Sequence, residues 1–174
     1  MLESFAKSYQ LRFRPEKAKE VQQTLDSCFS LKGQGLVRSF GQLSSLVEGE
    51  STWLFRTVEL LDLNPYEQSY STHFPRIASL FDIPTDHEEF FFLDKSMKPI
   101  QRLPKSEPPN ANVIEITKRI ATSCKARHPL SVTLRRGHGL IYFEPMVTGG
   151  ETIDDLNSLY CIAKMMCEKL SIDV

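Results

Sequence analysis

The chain has 174 residues, 41% of them hydrophobic and 25% charged, and a formal net charge of −1. That length fits a single domain, 1–174, large enough to bury a core without help from a metal or disulfide. The composition excludes wholesale disorder and a membrane bundle, and the longest apolar runs, such as Phe90 to Leu93, are far shorter than a bilayer span.

At the N-terminus, Met1 to Arg14 lacks the apolar stretch of a signal peptide, which makes the cytoplasm the expected address. Tyr9, Leu11 and Phe13 alternate with Gln10, Arg12 and Arg14, the period of a half-buried strand. Pro15 suits the first turn of a helix, and Ala18, Val21, Leu25, Cys28 and Phe29 continue it at helical spacing until Gly33 and Gly35. Trp53 to Leu63 fits either a strand or a buried helix. Asn64-Pro65 marks a turn, and Phe74 to Phe81 has the spacing of a short helix closed before Pro84.

Glu89 to Asp94 and Met97 to Leu103 read as two short strands around a turn at Lys95-Ser96. The loop at 104–110, with Pro104, Pro108 and Pro109, is the one candidate for an internal boundary. Asn112 is placed to cap a helix with Val113, Ile116, Ile120 and Cys124 on its apolar face. Val132 and Leu134 lead into Arg135-Arg136-Gly137-His138-Gly139, and Leu140 to Phe143 leads out, which reads as a hairpin with a glycine-rich tip. Gly149-Gly150 breaks the chain again. Thr152 and Asp155 resemble a capping box, ahead of a closing helix with Leu156, Leu159, Tyr160, Ala163, Met166 and Leu170 on its buried face. The predicted fold class is α+β: an antiparallel sheet of four to six strands, built from hairpins, with helices packed mainly on one face.

The four cysteines, at 28, 124, 161 and 167, form no C-x-x-C pair, and their apolar settings predict buried free thiols. Cys161 and Cys167 fall on different faces of the closing helix and cannot share a zinc ion. No phosphate-binding loop, nucleophile elbow or H-E-x-x-H motif occurs, so no cofactor is expected and a catalytic role is the less favoured one. The run Asp86-His87-Glu88-Glu89 reads as a solvated acidic turn, because adjacent side chains diverge.

Charge is distributed in blocks. Residues 46–94 carry a net −8 and residues 95–136 a net +8. Lys98 and Arg102 from the first hairpin, Lys118 and Lys125 from one helix face, Arg127, and Arg135, Arg136 and His138 at the second hairpin tip are the candidate binding residues. Gathered on one surface, they would attract an acidic protein surface or a phosphate backbone; the competing arrangement is internal pairing with the acidic block. The tip is expected to project into solvent, with its arginines open to an anionic partner.

These residues favour a non-catalytic binding or adaptor module with a protein partner, to which Tyr66 to Phe74 would add aromatic anchors. A nucleic-acid-associated accessory protein is the alternative, although aromatic residues do not interleave with the basic ones. An enzyme would need groups converging from distant segments, for example Glu144 with His138 or His128.

Overall fold

A computed structural model of the chain describes residues 1–33, 36–43, 45–63, 70–84, 88–96, 98–100, 108–144 and 151–172. Among these residues the hallmark is one antiparallel sheet of ten strands, more than the four to six expected. Its strands are β1 (Arg12–Phe13), β2 (Leu31–Gly33), β3 (Leu36–Phe40), β4 (Ser45–Glu48), β5 (Thr52–Leu63), β6 (Tyr70–Asp82), β7 (Glu89–Leu93), β8 (Pro99–Ile100), β9 (Leu130–Arg135) and β10 (His138–Phe143). The helices are α1 (Leu2–Ser8), α2 (Ala18–Thr24), α3 (Ala111–Ser123) and α4 (Ile153–Ile172); a 3-10 turn, Pro15–Lys17, precedes α2 and a π-helical turn, Leu25–Phe29, extends it.

The long pair β5–β6 is the spine, in register from Thr52↔Phe81 to Leu63↔Tyr70. Beside β5, two short strands share its outer edge: β4 pairs with Trp53 to Arg56 and β3 with Glu59 to Leu63. On the other side the order runs β6-β10-β9-β7-β8. The stretch Phe74 to Phe81 is therefore strand, not helix. Ile77, Ala78, Leu80 and Phe81 are all buried. A strand covered on both faces loses its period-two signal, and its apolar residues then mimic helical spacing.

Two cores follow from the alternation of side chains across the sheet. Val47, Leu54, Phe81 and Ile141 face one way, against Phe5 of α1, Val113 and Ile120 of α3, and Leu156, Leu159, Ala163 and Met166 of α4. Leu46, Phe55, Leu80 and Leu140 face the other, against Val21 of α2 and Leu25 and Phe29 of the π-helical turn. Helices thus lie on both faces, three on one and α2 on the other.

The local reading of residues 9–13 shortens in the structure. α1 occupies 2–8, and only Arg12 and Phe13 pair as a strand, with both side chains exposed. The α3 cap is Asn110 rather than Asn112: the Asn110 side chain accepts from the Asn112 N–H at 2.9 Å. The capping box at α4 is formed as read. Thr152 N–H donates to the Asp155 carboxylate at 2.8 Å, and Asp155 N–H donates to Thr152 Oγ1 at 3.3 Å.

The expectation of four free thiols fails at one pair. Cys124, the C-cap of α3, is disulfide-bonded to Cys161 of α4, with 6.0 Å between their Cα atoms, while Cys28 and Cys167 are free. The two cysteines lie 37 residues apart and meet only because α3 and α4 pack together on one sheet face. No described helix is long and apolar enough to cross a membrane. The turn at 64–65, the run 85–87, the proline loop up to residue 107 and the break at 149–150 lie outside the described residues.

Candidate functional site

The hairpin tip does not stand free in solvent. Arg136 and Gly137 form its two-residue turn with φ of 51° and 78°, the left-handed pair that matches the twist of the flanking strands. Arg136 Nη1 donates to the Ser27 carbonyl at 3.0 Å and Arg135 Nη1 to the Cys28 carbonyl at 3.4 Å. Both guanidiniums therefore sit at the C-terminal end of α2 and its π-helical turn, where carbonyls lack helical partners and the dipole favours cations. Arg135 also pairs with Glu88 at 3.1 Å, and His138 Nδ1 lies 2.9 Å from Asp82.

The remaining basic candidates are elsewhere. Lys98 is exposed in the β7–β8 turn, Lys118 pairs with Glu115 at 3.6 Å, and Arg127 pairs with Asp154 at 3.6 Å. Lys125 lies beyond the end of α3 with φ of 56°, so it does not share a helix face with Lys118. Arg102 is outside the described residues. The β9 register separates the groups: Leu93, just before the Lys98 turn, pairs with Leu130, whereas Arg135 pairs with His138 at the opposite end. Six residues of strand span roughly 20 Å, so the Lys98 turn and the Arg135–His138 tip lie at opposite ends of β9. Of the described candidates, Arg135 alone pairs with the acidic 46–94 block through an ion pair between charged groups, while His138 reaches Asp82.

No ion pair between Glu144 and His138 or His128 is seen among the described residues. Glu144 directs its carboxylate toward Arg76, at 3.7 Å. His128 pairs instead with Asp155 at 3.0 Å, and that same Asp155 is committed to the α4 capping box. The aromatic residues Tyr66 to Phe74 fall outside the described side chains.

Sequence reading missed the charged half of the α2-side sheet face. Arg38, Glu59, Arg76 and Tyr142 come from β3, β5, β6 and β10, and each is at most 2% exposed. Arg76 grips one Glu59 oxygen through Nε at 2.9 Å and Nη2 at 2.7 Å. Arg38 Nε is 3.0 Å from the other oxygen, which also accepts from the Tyr142 hydroxyl at 2.7 Å; Arg38 Nη2 in turn donates to that hydroxyl at 3.0 Å. Burial raises the Glu59 carboxyl, but the two guanidiniums and the hydroxyl outweigh it and hold the group below the usual carboxylate range. Burial pushes the Tyr142 phenol up to about 12, with Arg38 acting against the rise and Glu59 adding to it. Every member of this cluster is engaged with another, which makes it a fastener between strands rather than an open receptor.

An accessible concavity lies at the β1 edge. A pocket of about 400 Å³ is lined by Gln10, Leu11, Arg12, Arg14, Lys17, Glu48, Gly49 and Glu50. Arg14 pairs with Glu16 and, at 3.4 Å, with Glu48, and Lys17 pairs with Glu20 at 3.4 Å; Arg12 has no ion-pair partner among the described residues. Beside it stand Tyr9 and Phe13, two of the four large hydrophobic side chains exposed among the described residues. Tyr9 stacks on Phe5 at 4.7 Å and meets Tyr160 edge-on at 5.9 Å, so its ring is held rather than loose. Gly49 permits this closeness, since a Cβ there would lie 2.7 Å from the Tyr160 hydroxyl.

Comparison with known protein families, curated proteins and solved structures found no match. The reading of function therefore rests on this geometry.

Proposed function

We propose that the protein is a non-catalytic binding module that engages an acidic stretch of a partner protein at the β1 edge of its sheet. The observation that carries this reading is the combination there of an open pocket, a held aromatic ring at Tyr9, an exposed Phe13 and an Arg12 with no ion-pair partner among the described residues. Protein interfaces favour this mixture of aromatic residues and arginine. β1 has only two residues and is the terminal strand of its side, so no other strand among the described residues pairs with its outer edge, the position that an added extended chain would take. Lys95 and Lys98, in the β7–β8 turn at the far end of β9 and without ion-pair partners among the described residues, are a second, weaker attraction for acidic segments.

The test is selection of a displayed peptide library on the immobilised protein, followed by anisotropy titration of the recovered peptides. Acidic peptides bound by the parent protein and weakened roughly tenfold or more by Phe13→Ser or Arg12→Glu support the reading. Failure to recover peptides, peptides indifferent to both substitutions, or binding of nucleic acid alone would overturn it.

A further inference from the structure

Three sulfur atoms meet between α3 and α4. Cys161 and Met165 are four residues apart and so occupy one face of α4. Cys124 reaches them from the end of α3, where Lys125 takes a left-handed backbone and turns the chain away. Met165 Sδ is 3.6 Å from Cys124 Sγ and 3.9 Å from Cys161 Sγ. Cys161 and Met165 are half-buried, so the cluster has a way out to solvent, while Cys124 closes its inner side.

We propose that, with its disulfide reduced, this cluster is a three-sulfur site for monovalent copper. The two states are linked by a balanced exchange. A small dithiol donates two electrons and two protons to the Cys124–Cys161 bond, yielding two thiols and the dithiol's own disulfide. Copper(I) then displaces both thiol protons and binds two thiolates and the Met165 thioether.

The geometry suits that ion. Metal–sulfur bonds of about 2.3 Å arranged at 120° place the ligands roughly 4 Å apart. Met165 already keeps that distance from both cysteines, and reduction frees the two Sγ atoms to separate by side-chain rotation. Thiolate and thioether donors are the soft ligands that select copper(I). Zinc prefers four ligands, and no group of three His, Cys, Asp or Glu side chains suited to a metal occurs among the described residues. The bound complex carries one negative charge.

The full chain, reduced and freed of reductant without oxygen, is titrated with copper(I) against bathocuproine disulfonate. One equivalent should be retained. Affinity should fall roughly 100-fold in Cys124→Ser and Cys161→Ser and about tenfold in Met165→Leu, with Cys28→Ser and Cys167→Ser unchanged. X-ray absorption of the copper-loaded parent protein, which needs no variant to fold, should show three sulfur neighbours at about 2.3 Å. The oxidised protein should retain no copper. Copper held by the oxidised protein, none held by the reduced one, two sulfur neighbours only, or loss of binding on replacing Cys28 or Cys167 would each overturn the proposal.

Discussion

Lys125 shows how a single residue can work against its own backbone. Its N–H donates to the Thr122 carbonyl and the next residue's N–H to the Ala121 carbonyl, the paired closure that ends many helices with a left-handed glycine. Here a lysine holds φ at 56°, and Gln10 does the same after α1. A left-handed side-chain-bearing residue costs about 1–2 kcal/mol, part of which glycine would return through greater freedom of the unfolded chain. Lys125→Gly should therefore raise stability by about 0.5–1 kcal/mol, read from the urea midpoint at unchanged slope. A lowered midpoint would show that the lysine side chain contributes more than its backbone strain removes. Arg136, the other charged left-handed residue among those described, is placed differently, because its guanidinium caps α2.

At the scale of elements, α4 has the clearest energetic role. Leu159 is 1% exposed and lies in the core cluster shared by α1, α3, α4 and the sheet. Leu159→Ala should cost about 2–5 kcal/mol in denaturant unfolding; a loss below about 0.5 kcal/mol, normal for surface sites, would mean that the helix is not docked. This helix was legible in the sequence because its signals are local: a capping box and apolar residues at helical spacing. The β9–β10 hairpin was legible for the same reason, through its glycine-bearing turn. β6 was misread because burial on both faces erased the alternation that marks a strand. α1 is seven residues long, too short for its periodicity to compete with the alternating run that follows. The Arg38–Glu59–Arg76–Tyr142 cluster left no local trace, since Arg38 and Tyr142 are 104 residues apart. The β1 pocket was equally hidden, because Glu48 and Gly49 join Arg12 only when β4 pairs with β1.

For the whole molecule, the buried cluster couples strand assembly to pH. Glu59 titrates below the usual carboxylate range when folded, so its contribution is present above the unfolded value of about 4.3 and is lost as pH falls through the lower folded value. Tyr142 acts at the other limit. Its folded value of about 12 stands above the ordinary value of about 10, so the unfolded chain releases its proton first and stability drops between those values. The whole drop amounts to about 3 kcal/mol. The stability difference between the parent protein and Tyr142→Phe should be flat from neutral pH to about 10 and narrow above it. A difference that stays constant to pH 12 would show that the phenol ionises as easily folded as unfolded.

The sheet order has a consequence for the order of synthesis. β6 is flanked by β5, made just before it, and by β10; the His138–Asp82 contact that closes the second seam spans 56 residues. Until the C-terminal third has left the ribosome, the emerging chain carries the long β5–β6 hairpin with one flank of β6 unpaired. That flank carries Ile77, Ala78, Leu80 and Phe81, all buried once the fold is complete, and is open to wrong strand partners while translation is unfinished.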